Sequence, residues 1–283
     1  MSFYNERELG LIKNVDRDEY MLFKDLPIYQ ILPLKYALLI LQNKKIRFGN
    51  IWDHWEDPYE LFIFKQNVNI DGKTLNTDLI NLGKSSFGQC WSVMEDTDTM
   101  WRIYSPDKKS VQIKTTFEKV LKVMNETRGM TIYNDNKIRY TFVPHFGRVI
   151  YKPQVDIEKS INDTSGLNPF EYYIQCGNSL FVKRIEFQHE NEIRFIIIKS
   201  RFDAAIDDGV HEDAIFMDIN PSDFIDEIRI DPRADDVIYS EIKRSIDSVY
   251  PGLSINKSQL YAFNCNSIEL ADKPIKINVD NRE

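Results

Sequence analysis

The chain has 283 residues, of which 42% are hydrophobic and 12% aromatic, and its formal net charge is −8. This length and apolar content predict one globular domain, which we place at residues 1–265, followed by a polar tail at 266–283. Excess acid without a basic patch disfavours a general nucleic-acid-binding surface or attachment to anionic membranes. The sequence has no signal-peptide pattern and no apolar run long enough to span a bilayer, so we expect a cytoplasmic protein.

In the first half of the chain, a helix is predicted to begin near Pro33, and its apolar stretch at 36–41 predicts that it is buried. Mixed polar and aromatic residues predict irregular loops at 50–60 and at 94–110. The remaining predicted elements are strands at 46–48, 87–93 and 111–114, a polar surface segment at 67–86, and a helix that Thr115 and Glu118 would cap and Gly129 would end.

In the second half, residues 192–199 form a nearly continuous apolar run, which is typical of a central strand covered on both faces. Pro144 and Gly147 predict a hairpin turn between strands at 139–143 and 148–151. The remaining predicted elements are helices that start at Asn168 and span 234–249, and strands at 214–219, 224–230 and 260–263. Helices and strands follow one another irregularly and without repeats, which predicts an α+β fold rather than a doubly wound sheet.

The cysteines Cys90, Cys176 and Cys265 are far apart and lack paired spacing. This disfavours a disulfide framework or a zinc site and predicts buried thiols. The motifs of P-loops, dinucleotide-binding folds, zinc proteases and serine hydrolases are all missing.

One acidic stretch leaves two interpretations open. His54 lies among three carboxylates, those of Asp53, Glu56 and Asp57. Such a group could bind a cation, as a metal-dependent nuclease would require, or it could form a solvated acidic loop. We favour the solvated loop and predict no metal ligands.

Three stretches mix polar and aromatic residues in a way that neither a core nor a plain surface requires. They are 46–60, 89–104 and 187–195. In the last stretch, strand alternation would place Glu190, Glu192 and Arg194 on one face. Two carboxylates so close need a cationic partner. The simpler alternative is a Glu–Arg network that fixes a strand edge.

In order along the chain, these stretches resemble a bacterial family of unknown function, DUF2971. The resemblance covers roughly residues 28–262. It is carried by Arg47-Phe48, Asp57-Pro58-x-Glu60, Trp91-Ser92, Met100-Trp101-x-x-Tyr104, Lys183-Arg184-x-x-Phe187 and Glu190-x-Glu192-x-Arg194.

A second resemblance supplies a chemistry. An early arginine, a serine on a middle strand and Glu-x-Glu before a late strand are similar to the R-S-E arrangement of ADP-ribosyltransferases. This implies a mixed, mostly antiparallel fold of split β-sheets flanked by helices, with NAD as the substrate bound in a cleft between the sheets. The chain would then modify an acceptor, protein or nucleic acid, as a toxin or phage-defence effector.

The same resemblance assigns roles to individual residues. Glu192 would stabilise an oxocarbenium-like transition state, and Glu190 would position or deprotonate the acceptor. Arg47 would hold the NAD phosphates and Ser92 would orient the strand and the nicotinamide ribose. The other residues expected to contact NAD are Phe48, Trp101, Tyr104 and Arg194. A non-catalytic nucleotide- or partner-binding module is the first alternative, and a nuclease-type effector is the second.

Overall fold

The computed structural model describes residues 23–70, 73–74, 76–127, 132–134, 138–162, 168–201 and 212–263. The polar tail predicted at 266–283, the helix end predicted at Gly129 and Cys265 all lie outside these ranges. No helix within them is long and apolar enough to cross a membrane.

The helices of the described residues are α1 (Leu34–Asn43), α2 (Ile51–His54), α3 (Asn76–Lys84), α4 (Asp98–Tyr104), α5 (Phe117–Thr127), α6 (Gln154–Asn162), α7 (Pro169–Ser179), α8 (Pro221–Phe224) and α9 (Asp236–Val249). Two 3-10 helices cover Ile63–Lys65 and Ile185–Glu190.

The strands are β1 (Pro27–Pro33), β2 (Lys45–Asn50), β3 (Asn69–Ile70), β4 (Lys73–Thr74), β5 (Ser86–Ser92), β6 (Ser110–Thr116), β7 (Ile132–Asn134), β8 (Ile138–Arg148), β9 (Ile150–Lys152), β10 (Val182–Arg184), β11 (Glu192–Arg201), β12 (Ala214–Asp218), β13 (Glu227–Ile230) and β14 (Ile255–Lys257).

Ten strands of the described residues form one mixed sheet in the order β14-β13-β6-β1-β5-β11-β8-β7, with β2 and β12 joined to it through β5. All of its pairings are antiparallel except β13 with β14. The α+β class and the mostly antiparallel arrangement are therefore confirmed.

The sheet splits along one edge of β5. The last residue of β5, Ser92, pairs with Tyr29 of β1, whereas Phe87 and Gly88 near its start pair with β2. The other edge of β5 is continuously paired with β11. Because β1 and β2 diverge from the same edge, a wedge-shaped opening remains between them. This opening is where the candidate site lies.

The central strand β11 separates two apolar cores by simple alternation. Ile193, Phe195 and Ile197 pack into the larger core, which includes Trp91 of β5. Ile196 and Ile198 pack into the smaller core on the opposite face, with α7 and the 3-10 helix at Ile63–Lys65. The prediction of a central strand covered on both faces is confirmed. Side chains alternate along a strand, so Glu192 and Arg194 project to the same side of β11 as Ile196 and Ile198, which is the side of the smaller core.

Several predicted elements differ in the structure. The predicted buried helix α1 exposes Tyr36 and Leu39 by 47% each, since only one of its faces packs inward. Thr115 does not cap α5, because β6 continues to Thr116 and the Thr115 hydroxyl donates to the Phe224 carbonyl. Residues 260–263 do not form the predicted strand, and the last strand of the described residues is Ile255–Lys257.

The predicted hairpin at Pro144 and Gly147 is instead one continuous strand, β8. Among the described residues β7 covers only Ile138–Tyr140 of it, so Pro144 lies on an edge where no amide donor is needed. A Cβ on Gly147 would come within 3.0 Å of the Phe181 ring. The two residues that suggested a turn therefore have other roles: Pro144 suits a strand edge, and Gly147 allows close packing against Phe181.

The loop predicted at 94–110 contains the helix α4. Thr97 caps it, accepting a hydrogen bond from the Met100 amide at 3.2 Å. The helix places Trp101 in the interior and Tyr104 at the opening beside β5.

Candidate active site

A cleft of about 270 Å³ occupies the opening between β1 and β2. Its walls come from both strands, from the free edge of β5, from α4 and from the turn before β11. Five of the residues predicted to act in catalysis or binding line it: Arg47, Ser92, Tyr104, Glu190 and Glu192.

One end of the cleft is a buried charged cluster centred on Lys183. Its ammonium donates to Glu190 Oε2 at 2.5 Å and to Glu192 Oε1 at 2.7 Å. Arg194 donates from Nε to Glu192 Oε2 at 2.6 Å and from Nη2 to Glu60. All five side chains are nearly inaccessible to solvent. Three carboxyl groups therefore face two cations, so one proton shared among the carboxyl groups would neutralise the cluster.

The two glutamates that line the cleft have different pKa values, because they occupy different positions in the cluster. Burial opposes the charge on Glu192, but Arg194 and Lys183 outweigh it and keep the pKa of that carboxyl below its usual value. Burial, followed by the hydrogen bond and the charge of Glu192, raises the pKa of Glu190 to about 7. At neutral pH Glu192 is thus ionised, while Glu190 is the more readily protonated of the two.

The backbone before β11 explains how both carboxyl groups reach one place. Glu190 ends the 3-10 helix rather than beginning the strand, and Asn191 takes a left-handed conformation with φ of 43°. This turn replaces the strand alternation that we expected for Glu190, yet both side chains still converge on Lys183. Tyr104 donates its hydroxyl to Glu190 Oε1 at 2.8 Å, which fixes the other oxygen of that carboxyl group.

Ser92 holds the same turn through the backbone. Its hydroxyl donates to the Glu190 carbonyl at 2.7 Å and accepts from the Met94 amide at 3.0 Å. Ser92 therefore joins the end of β5 to the Glu190 turn.

The other end of the cleft carries Arg47 and His54. Arg47 projects from β2 and donates from Nη2 to Asp213 Oδ2 at 2.8 Å, while His54 Nε2 lies 2.7 Å from Asp213 Oδ1. The burial of these side chains is modest, unlike that of the cluster around Lys183. The cleft thus has Arg47 and His54 at its mouth, paired with Asp213, and two glutamates paired with Lys183 at its inner end.

Three of the residues predicted to contact NAD do not line the cleft. Phe48 is fully buried in the larger core. Trp101 is fully buried, and its indole N–H donates to Asp96. Arg194 is 1% exposed behind Glu192, with Trp55 stacked on its guanidinium at 4.1 Å. We remove these three from the ligand-contacting set, because their surfaces are already covered by protein.

Sequence reasoning gave no role to Lys183, Glu60 or Asp213. Lys183 and Glu60 stand within the family motifs, so the motifs were the available signal for them. Asp213 stands in no motif, and only the pairing of β12 with β2 brings it to Arg47.

The acidic stretch that was predicted to be a solvated loop is partly held in place by hydrogen bonds. Asp57 accepts from Arg184 at 3.1 Å and from the Tyr59 amide at 3.1 Å. Within the residues that the structure describes, no group of three or more His, Cys, Asp or Glu side chains could hold a metal ion.

Comparison with known proteins gives a family match and a distant structural likeness. No curated protein matches the sequence. The fold is similar to that of DarT from Thermus sp. 2.9 in complex with NAD+, at 11% identity over 83% of this chain and 96% of that chain, with a TM-score of 0.34. The complex of DarT with ADP-ribosylated ssDNA gives 11% identity, coverage of 83% and 95%, and a TM-score of 0.35.

The profile of the family described as "Protein of unknown function (DUF2971)" matches residues 100–195. This segment contains the M-W-x-x-Y motif at its start and the E-x-E-x-R motif at its end. The match confirms the DUF2971 resemblance of this chain over that segment.

Proposed function

We propose that this chain binds NAD in the cleft and transfers its ADP-ribose group to an acceptor. The observation that carries the proposal is the convergence of Arg47, Ser92, Tyr104, Glu190 and Glu192 on one opening in a split sheet. These residues come from four separate segments of the chain, and a purely structural ion-pair network would not require them to surround an open cavity.

The polarity of the cleft suits the two ends of NAD. The pyrophosphate is anionic and matches the guanidinium of Arg47 at the mouth. The nicotinamide ring carries a positive charge, and the ribose gains positive charge as its bond to the ring breaks. Both match the ionised Glu192 at the inner end. The proposed orientation therefore places the reacting bond beside the carboxylates.

The two glutamates have different roles in the proposed reaction. The bond between ribose C1′ and the nicotinamide nitrogen breaks, and nicotinamide leaves with the electron pair as a neutral molecule. The fixed carboxylate of Glu192 stabilises the resulting oxocarbenium-like ribose, since it already holds its charge and needs no rearrangement. Glu190, when ionised, accepts the proton of the acceptor as the acceptor's oxygen or nitrogen bonds to C1′. Two carboxyl groups with separated pKa values are the pattern expected of such a division.

Acceptor and biological role are the further parts of this proposal. We propose a protein or nucleic-acid acceptor, and a cytoplasmic toxin or phage-defence effector, since covalent modification of either class of macromolecule can stop a cell from growing. The net charge of −8 argues that a nucleic-acid acceptor would be met locally at the cleft rather than through a broad basic surface.

The test compares the wild type with Glu192→Gln for nicotinamide release from NAD, with protein extract and single-stranded nucleic acid supplied as acceptors. Glutamine keeps the size of the side chain and removes its charge. We expect the rate to fall by about 10²–10³, as when other electrostatic groups are removed from active sites. Glu186→Gln is the matched control, because Glu186 is an exposed glutamate on the adjacent 3-10 helix and should leave the rate unchanged.

Melting temperatures of the same samples separate catalysis from stability. If Glu192→Gln melts well below the wild type, the rate is compared at a temperature where both are folded. Absence of nicotinamide release from the folded wild type with every acceptor would overturn the enzyme proposal.

One observation favours a second candidate, a nucleotide- or partner-binding module without turnover. Both oxygens of Glu192 are already bound, one by Lys183 and one by Arg194, as a structural network would require. This candidate predicts NAD binding by calorimetry without nicotinamide release. The nuclease alternative has no comparable support, because the described residues hold no metal-binding group.

A further inference from the structure

Three polar side chains meet at the mouth of the cleft, on different elements. Arg47 lies on β2, His54 ends α2, and Asp213 directly precedes β12. The Asp213 carboxylate accepts from Arg47 Nη2 at 2.8 Å through one oxygen and lies 2.7 Å from His54 Nε2 through the other. Arg47 and His54 line the cleft, so their polar atoms would be available to a ligand if Asp213 withdrew.

Two features of the backbone allow these three side chains to meet. The Arg47 guanidinium lies across Gly49, where a Cβ would come within 2.8 Å of Nη1 and 3.1 Å of the His54 ring. A glycine at this position therefore lets the two side chains approach one another. The Asp213 carbonyl accepts from the Asn50 amide at 2.8 Å, which fixes the backbone of Asp213 independently of its side chain.

We propose that Arg47 and His54 together form a phosphate site, and that the Asp213 carboxylate occupies this site until a phosphate group displaces it. The Asp213 carboxylate places one oxygen against Arg47 Nη2 and the other against His54 Nε2, two nitrogen atoms that lie 2.6 Å apart. A phosphate group presents oxygens in the same way. Assignment of that phosphate to the pyrophosphate of NAD rests on the proposed function. The phosphate site itself rests only on the geometry at the mouth.

Displacement is physically accessible because the group is exposed. The side chains of Arg47 and His54 are 39% and 40% exposed, and that of Asp213 is 71% exposed. Ion pairs in such surroundings are weakened by water and salt. By contrast, the carboxylates around Lys183 are buried and could not be exchanged for a ligand group at similar cost.

The first experiment measures binding of inorganic pyrophosphate and of ADP-ribose by calorimetry, using the full chain. Asp213→Asn removes the competing charge at nearly constant size, so we expect both ligands to bind several-fold more tightly. His54→Ala should weaken both. The matched control is Asp218→Asn, because Asp218 ends β12, the strand that Asp213 precedes, and pairs with Lys45 of β2 at 3.3 Å. It should leave both affinities unchanged.

A double-mutant cycle with Arg47→Gln separates displacement from a general change in charge. If Asp213 competes for the Arg47–His54 pair, the gain from Asp213→Asn should be largely lost in the Arg47→Gln background. Unchanged or weaker pyrophosphate binding in Asp213→Asn, or an equal gain in Asp218→Asn, would overturn the inference.

The outcomes also separate this inference from the proposed function. Tighter pyrophosphate binding in Asp213→Asn, without nicotinamide release by any variant, would retain the phosphate site and reject the transferase. Nicotinamide release that is insensitive to Asp213→Asn and His54→Ala, with pyrophosphate affinity unchanged, would do the reverse. Melting temperatures confirm that each variant is folded.

Discussion

At the scale of single residues, the decisive feature is that the pKa values of two neighbouring glutamates are shifted in opposite directions. Glu192 receives hydrogen bonds from both cations of the cluster, whereas Glu190 receives them from Lys183 and from the neutral hydroxyl of Tyr104. Both carboxyl groups are buried, but the pKa is lowered for Glu192 and raised for Glu190, because only Glu192 has enough positive charge around it. A proton that titrates near neutrality is the result.

This proton makes stability depend on pH in a defined direction. Folded Glu190 keeps its proton up to about pH 7, whereas a glutamate in the unfolded chain loses it near pH 4.5. Between these values the folded state binds more protons, so its contribution to stability is complete below about pH 4.5 and is lost as the pH rises through 7. In Glu190→Gln this dependence should disappear, so its melting temperature relative to the wild type should rise between pH 5 and pH 8.5.

Thermal melts of both proteins across that range measure the effect. Glu186→Gln, an exposed neighbour, should follow the wild type at every pH. A constant difference between Glu190→Gln and the wild type would show that Glu190 has the same charge in the folded and unfolded states.

At the scale of elements, α4 positions the wall of the cleft through a buried tryptophan. Trp101 is fully buried, and its carbonyl accepts from Arg233 Nη2 at 2.8 Å, while Tyr104 one turn later reaches Glu190. Trp101 therefore anchors the helix that carries a cleft residue without touching a ligand itself.

Trp101→Ala should lower stability by about 3–5 kcal/mol, the usual cost of removing a packed aromatic side chain. Ile103→Ala on the same helix is the matched control, because Ile103 is 49% exposed and should change stability little. Denaturant unfolding measures both. Equal stability of Trp101→Ala and the wild type would show that α4 is not held by its tryptophan.

At the scale of the whole molecule, Arg194 joins the sheet to the smaller core. From β11 its guanidinium reaches Glu60, Glu192 and the Leu180 carbonyl at the end of α7, the last at 2.8 Å. Three separate parts of the chain thus meet at one buried cation. We expect this contact to fix how the sheet and the helices beneath it sit around the cleft.

Arg194→Met should destabilise the protein by about 3–5 kcal/mol, because it removes from buried surroundings the cation that donates to both Glu60 and Glu192. The loss should shrink at low pH, where Glu60 and Glu192 can be protonated. Lys243→Ala, which removes an exposed pair with Asp247, should melt like the wild type. A wild-type melting temperature for Arg194→Met would contradict the role of this contact.

What the sequence by itself determined depends on local patterns. The alternating and continuous apolar runs predicted β2, β5, β11 and α9, because burial on one or both faces leaves a period in the residues. The helix start at Asn168 was also predicted, and the structure has both hydrogen bonds of a capping box there. The motifs brought Arg47, Ser92, Glu190 and Glu192 forward as one set, since each combines polar groups with aromatic neighbours at a strand end.

Only the tertiary structure decided which of these residues face the cleft. Phe48 and Trp101 stand beside the polar motif residues in sequence, but one faces the larger core from β2 and the other the interior from α4. Asp213 reaches Arg47 across 166 residues, through a strand pairing that leaves no local pattern. Long-range pairing and the side on which each element packs are properties of the whole chain, and this is why the cleft and the contacts at its two ends emerged only from the fold.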